Sequence, residues 1–173
     1  MSGDGKPDIL FQHTGNGLLY SWWLVNGQLV GQSALHPAAI ADLNWLIVSK
    51  DDFTGDGQPD LVLQHQTNGS VAFWQMQGLA LVQQIPVPIT PGPWRVVATP
   101  DLNRDGYPDI VWQIPATGAL HVWYLQRTTA GLIALIGEGA FVHPQGQPTG
   151  PVGAAWRAVG AGDLNGDGIA DLV

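Results

Sequence analysis

Three stretches of the chain crowd oxygen side chains into nine residues each: DFTGDGQPD at 52–60, DLNRDGYPD at 101–109 and DLNGDGIAD at 163–171. Oxygen donors fall at positions 1, 3, 5 and 9, and glycine stands at position 6. The donors are Asp52, Thr54, Asp56 and Asp60, then Asp101, Asn103, Asp105 and Asp109, then Asp163, Asn165, Asp167 and Asp171. The backbone carbonyl at position 7, of Gln58, Tyr107 or Ile169, can add one more oxygen. Carboxylates this close destabilise one another unless a cation sits among them. Ca2+, a hard ion that takes roughly six to eight oxygens, suits the set, whereas Mg2+ demands a tighter octahedron and keeps its waters. The glycine permits the sharp turn that would wrap the loop around the ion.

Loops rich in Asp, Asn and Gly also form turns without any metal. Three copies at a fixed distance from flanking tryptophans argue against that blander reading. A fourth, partial copy opens the sequence, with Asp4 and Asp8 at its positions 5 and 9 and Ser2 at position 3. The loops are not EF-hands: position 12 is Leu63 or Trp112 rather than glutamate, and the flanks read as strands.

The loops mark a repeat. Their closing aspartates, Asp8, Asp60, Asp109 and Asp171, lie 52, 49 and 62 residues apart. Trp45, Trp94 and Trp156 each precede a loop by the same interval. Gly17, Gly69 and Gly118 each follow a closing aspartate by the same interval, as do Trp22, Trp74 and Trp123 further on. Each unit then reads as four strands. One precedes the loop (WLIVSKDD, WRVVATPD, WRAVGAGD) and a second follows it (DILFQH, DLVLQH, DIVWQI). A third lies beyond a short turn (LLYSWWLV, SVAFWQMQ, ALHVWYLQ), and a looser fourth ends the unit (QLVGQSAL, LALVQQIPV, LIALIGEG). Asn-Gly in the turns is a strong hairpin signal. The second and third strands are apolar at odd and even positions alike, as in sheets covered on both faces. Four-stranded sheets stacked on copies of themselves describe an all-β fold of β-propeller blades.

DFTGDGQPDLVLQHQTNGSVAFWQMQG and DLNGDGIADLV resemble FG-GAP/VCBS-type repeats, which build integrin-α-like and bacterial β-propellers. The resemblance implies calcium between the first two strands of a blade, at the oxygen positions already named. The first copy departs from it by lacking a position-1 aspartate, and 127–155 matches nothing assignable.

One unit of 1–173 is expected, holding three blades. One blade covers about 45–90 and another about 94–150, and a seam blade combines about 1–40 with 156–173. Propellers have about four to eight blades, and three would leave apolar faces and strand edges open. A homodimer closing a six-bladed ring is therefore expected. Each C-terminal first strand would complete the partner's N-terminal blade, and the loop ending at Asp171 is expected to hold the ion at that seam.

Composition bounds the function. Eleven of the 14 acidic residues lie in the loops, so the net charge of −8 is local chemistry. Only six Lys and Arg are present, which excludes the basic footprint of a nucleic-acid binder. There is no cysteine and hence no disulfide framework. No apolar run is long enough to span a bilayer and no signal peptide is visible. An extracellular or cell-surface location is expected from the resemblance and the calcium loops. No GxSxG, HExxH or P-loop occurs. His13 and His65 share one repeat position and read as structural, while His36 and His143 stand in connections. A non-enzymatic binding module is expected, with a glycan as the leading ligand. The alternative is a self-assembling structural element with calcium alone. Repeating tryptophans read as core between blades. Tyr20, Trp23 and Trp112 do not repeat and are the candidate ligand contacts.

Overall fold

A computed structural model describes residues 8–87, 92–129, 131–141 and 153–173. Asp4 and His143 lie outside them. Thirteen strands and no helix occur among the described residues, so no helix is long and apolar enough to cross a membrane.

The strands follow the repeat. β1 (Asp8–Gln12), β2 (Leu18–Val25) and β3 (Gln28–Ala39) form an antiparallel meander. β4 (Trp45–Asp51), β5 (Asp60–His65), β6 (Val71–Gln77) and β7 (Ala80–Pro86) form the next. The third comprises β8 (Arg95–Ala98), β9 (Ile110–Gln113), β10 (Leu120–Arg127) and β11 (Ile133–Ala140). β12 (Ala161–Gly162) and β13 (Asp171–Leu172) pair as a short hairpin. The first two meanders touch through one parallel bridge, His36 to Ala80, which joins them as a seven-stranded sheet in the order β1-β2-β3-β7-β6-β5-β4.

The strand before the third acidic loop is shorter than the sequence implies. Residues 156–163 reduce to the two of β12, because β13 offers only two residues to pair with. The stretch 127–155 matches no repeat motif, but its LIALIGEG segment, read as the looser fourth strand, forms β11 and supplies the fourth strand of its meander.

Stacking explains the missing alternation. Val62, Val71, Phe73 and Ile85 of the second meander pack on Ile110, Trp112, Trp123 and Leu125 of the third. On its other side the second meander presents Leu61, Leu63, Trp74 and Met76 to Leu19, Leu35 and Ile40 of the first. With both faces covered, β5 and β9 are buried almost throughout, whereas β1 alternates between half-buried and exposed. The strands that precede the loops converge on a common channel of about 450 Å3, lined in part by Ser49, Lys50, Thr99, Asp101 and Ala161. Ser49 and Thr99 hydroxyls meet across it at 2.6 Å.

The turn glycines are required by geometry. Gly17, Gly69 and Gly118 have φ of +73°, +76° and +74°, a region that side chains disfavour. Each donates its N–H back across the hairpin, to His13, His65 and Ile114. A Cβ at Gly17 would run into the Ile40 carbonyl, and one at Gly118 into the Gly153 backbone.

Candidate functional site

The three acidic loops share one internal hydrogen-bond pattern. The position-1 carboxylate accepts the N–H groups of positions 5 and 6. Asp52 takes Asp56 and Gly57 at 3.1 and 2.7 Å, Asp101 takes Asp105 and Gly106 at 3.2 and 2.9 Å, and Asp163 takes Asp167 and Gly168 at 3.1 and 2.9 Å. The position-5 carboxylate accepts the N–H of position 7: Gln58 to Asp56 at 2.9 Å, Tyr107 to Asp105 at 2.9 Å and Ile169 to Asp167 at 2.7 Å. Asn103 and Asn165 at position 3 lean on the position-5 carboxylate, each donating at 3.1 Å. Identical wiring from non-identical sequences means that the oxygens are placed by spacing and turn geometry.

Position 9 does a second job that spacing did not show. Asp60 and Asp109 are fully buried. Asp60 accepts N–H from Thr54 and from Met76 on β6, both at 2.9 Å. Asp109 accepts from Leu102 at 2.9 Å and from Leu125 on β10 at 3.0 Å. Each therefore ties loop to strand. Asp171 accepts the matching loop N–H, Leu164 at 3.0 Å, but no strand N–H among the described residues.

Among the described residues no three acidic or histidine side chains converge as a ready cation cage. The reason is visible in the loops: position 3 is Thr or Asn, and position 9 is held by backbone. Each loop still offers two carboxylates, one neutral side-chain oxygen and one carbonyl. A carboxylate oxygen that accepts one N–H keeps a second lone pair, so the donors are not exhausted. The buried Thr54 hydroxyl, which faces Asp60, makes no hydrogen bond of normal geometry. An orphaned oxygen at position 3 is what a cation-binding loop without its cation would show. The residues fit a hard divalent ion.

The loops stand side by side. Tyr107 of the second packs on Gly55 of the first. Arg104 of the second donates to the Asp167 carbonyl of the third at 3.3 Å. Arg127, at the end of β10, donates to the Thr54 carbonyl. These two arginines bring positive charge to the acidic rim, and only their neighbours in space, not in sequence, reveal it. Asp8, of the partial first copy, stands at the start of β1 opposite Trp23.

Ionisation follows the same division. Burial pushes the Asp60 and Asp109 carboxyls above their ordinary range, partly offset by the Met76 and Leu125 N–H groups. Burial likewise raises Asp51. Asp163 is lowered, first by the Gly168 N–H, and Asp42 by the Asn44 N–H and side chain. A raised folded-state pKa favours the fold while the group is protonated, and that stability is lost as pH rises through it. A lowered one gives stability that is lost only as pH falls below 3.8. In chelated buffer, urea unfolding should therefore show stability rising as pH falls from neutral toward 3.8, the ordinary aspartate value. With calcium present the slope should reverse, because protonation of the loop carboxylates releases the ion.

The aromatic candidates separate. Tyr20 is exposed. Trp23 is half-buried, its indole lying on the bare backbone of Gly31. Trp112 is buried in the core against Trp123, so it is not an exposed contact. Its residue type does not repeat but its position does: it stands where Leu63 and Phe11 stand in the other units. Trp74 and Trp123 are core as expected, whereas Trp22 is partly open beside Phe11. His65 is held by Asp42 at 3.2 Å and Thr67 at 3.0 Å, consistent with a structural role.

Two clefts are lined by equivalent repeat positions of the second and third meanders. One, of about 310 Å3, is lined by Trp45, Leu63, Ala72, Trp74 and Gln84 among others. The other, of about 110 Å3, is lined by Trp94, Trp112, His121, Trp123 and Glu138. The Trp112 indole N–H is buried without an acceptor, and His121 lies 3.4 Å from Glu138.

Polar staples that sequence reading missed also link the units. Gln12 donates to the Trp45 carbonyl at 2.7 Å and accepts from Ile47 at 2.9 Å. Gln64 does the same with Trp94 and Val96 at 3.0 and 3.1 Å. Gln113 does so with Trp156 and Ala158 at 3.2 and 3.1 Å. The signal was one glutamine at the same place in every second strand.

Residues 52–112 match the FG-GAP-like repeat and residues 155–173 match the FG-GAP repeat. No curated protein and no solved structure matches the chain.

Proposed function

From FG-GAP repeats in two regions of the chain, we propose a calcium-stabilised, non-catalytic binding module of β-propeller type that recognises carbohydrate or another cell-surface ligand outside cells. The meanders are its blades, three to a chain, and a second copy closes a six-bladed ring. The observation that carries the calcium reading is the threefold recurrence of one loop geometry with its oxygens on one rim. Asp52, Thr54, Asp56 and the Gln58 carbonyl would hold one ion. Asp101, Asn103, Asp105 and the Tyr107 carbonyl would hold a second, and Asp163, Asn165, Asp167 and the Ile169 carbonyl a third. Asp60, Asp109 and Asp171 close each loop and keep lone pairs for the same ion. The bound ion supplies the positive charge that lets these carboxylates stay together; the residues themselves fix the loop against its strands.

Extracellular calcium modules bind in the ~10⁻⁴–10⁻³ M range. At about 1 mM calcium a site with Kd of about 10⁻⁴ M adds about 1.4 kcal/mol. For a chain of this size that raises Tm by roughly 3–5 °C per filled site. Calorimetry with and without chelator measures it, and superimposable melts would end the calcium reading. For the ligand, the cleft of the third meander supports a sugar, whose C–H face packs on the half-buried Trp94 indole while its hydroxyls meet His121 and Glu138. A glycan array with His121→Ala and Glu138→Ala as controls tests this. Calcium-dependent stability with no glycan bound would favour the structural alternative.

A further inference from the structure

Position 4 of the acidic loops is where one loop meets the next. It is Gly55, Arg104 and Gly166 in turn, at φ of +68°, +62° and +79°. Glycine takes this left-handed turn without strain. Arginine does not, so a non-glycine side chain held there points to a task that glycine could not perform.

The two junctions between loops show the task. At the first, the Tyr107 ring of the second loop lies over Gly55 of the first, and a Cβ on Gly55 would stand 3.1 Å from it. Glycine is what admits the ring. At the second junction the counterpart of Tyr107 is Ile169, which is 40% exposed, and the reach comes from the other side. The Arg104 guanidinium donates to the Asp167 carbonyl at 3.3 Å and lies 3.8 Å from where a Cβ on Gly168 would stand. Glycine under tyrosine and arginine beside isoleucine are two solutions to one contact. The groups held are those an ion would use. Asp167 carries the position-5 carboxylate of the third loop, and Tyr107 the position-7 carbonyl of the second. Arg104 itself lies between Asn103 and Asp105, two ligand positions of its own loop.

We propose that Arg104 and Tyr107 are positioning residues that couple the loops, so that calcium in the second loop tightens calcium binding in its two neighbours. This deepens the calcium reading above and rests on it. An ion held by Asn103 and Asp105 fixes the backbone of Arg104 between them. The guanidinium then extends from a fixed root and loses less entropy in holding the Asp167 carbonyl, so the third loop is already ordered when its own ion arrives. Ligation of the Tyr107 carbonyl steadies the ring on Gly55 in the same way. The guanidinium charge also repels an ion in the third loop. That repulsion is present whether the second loop is filled or empty, and solvent and salt screen it at an exposed site. It sets the baseline affinity of the third loop and not the coupling.

The position-6 glycines report each loop separately, because the N–H of Gly57, Gly106 or Gly168 is held by the position-1 carboxylate of its own loop. Calcium is titrated into chelator-stripped, isotope-labelled protein and the three amide resonances are followed by NMR. Asp105→Asn retains an acceptor for the Tyr107 N–H and removes a charged ligand from the second loop. In that variant the Gly168 midpoint is expected at about fivefold higher calcium. In an Arg104→Gly background, which carries the residue of the other two loops and relieves the strain, adding Asp105→Asn should leave the Gly168 midpoint in place. With Tyr107→Ala as the background, the same comparison read at Gly57 tests the first junction. By reciprocity, Asp167→Asn should raise the Gly106 midpoint by the same factor while Arg104 is present. A Gly168 midpoint that Asp105→Asn does not raise, or raises equally with and without Arg104, would overturn the coupling and leave calcium in the loops standing. Glycine amides that stay fixed up to about 10 mM calcium would overturn both.

Discussion

Asp109→Ala is expected to cost about 3–5 kcal/mol in urea unfolding. The carboxylate is buried, and its two oxygens accept the Leu102 and Leu125 N–H groups from opposite sides. Truncation orphans both donors, each at about 1–3 kcal/mol, and leaves a small void. Against this, alanine relieves the burial of a charge, the effect that raises the Asp109 pKa. Two orphaned N–H groups outweigh that relief, because those same bonds already compensate much of the desolvation. Asp109→Asn keeps one acceptor and turns its NH2 against the other backbone N–H, so it should cost less than Asp109→Ala only by the one bond it retains. Asp171→Ala should cost least, since Asp171 is only half-buried and a single loop N–H binds it. An order other than Asp109→Ala, Asp109→Asn, Asp171→Ala in chelated buffer would refute the structural role given to position 9. Repeating the series with calcium separates the two jobs of the residue: the added loss there measures ligation.

The difference between Asp109 and Asp171 shows what the sequence made legible and what it did not. Both stand at position 9, and from spacing alone both read as ligands. That the loops recur, that strands flank them and that sheets stack face to face followed from periods of tryptophan, glycine and aspartate. Those periods survive because each residue answers a local demand: positive φ for Gly17, Gly69 and Gly118, oxygen spacing for the loops, apolar bulk between sheets. The missed features depend on neighbours far away in sequence. The position-9 tie needs an N–H sixteen residues on, Met76 or Leu125. Arg127 meets the Thr54 carbonyl from a different meander. Trp112 looked unique by residue type because a core position accepts Phe, Leu or Trp, provided the opposing face adjusts. Exposure of Ile9 and Phe11 was foreseen only as an open edge; which face opens is set by stacking direction.

Gln64→Leu should be nearly as damaging as loss of Asp109, about 3–4 kcal/mol, although leucine suits an apolar strand in size and hydropathy. The Gln64 amide is buried and bridges three backbone groups: it donates to the Gly69 and Trp94 carbonyls at 3.2 and 3.0 Å and accepts the Val96 N–H at 3.1 Å. Strand edges of adjacent units cannot pair with one another where the sheets fan apart, so Trp94 and Val96 have polar groups that only a side chain can reach. Leucine fills the volume and takes the partner from the Gly69 carbonyl and the Val96 N–H, while the Trp94 carbonyl keeps only the Arg95 guanidinium at 2.9 Å. Gln64→Glu sharpens the test. At neutral pH a carboxylate would face two carbonyls in a buried site, so its folded-state pKa is raised and the fold is weakened. Stability should return as pH falls below that raised value, because the protonated acid can donate to one carbonyl and still accept from Val96. Gln12→Leu, at a half-buried seam with two such bonds, should cost less, about 1–2 kcal/mol. Equal losses at Gln12 and Gln64, or no acid recovery for Gln64→Glu, would show that apolar packing alone holds the units in line. The predicted outcome instead makes one repeated glutamine the element that sets the spacing between blades, and with it the alignment of the acidic loops along their rim.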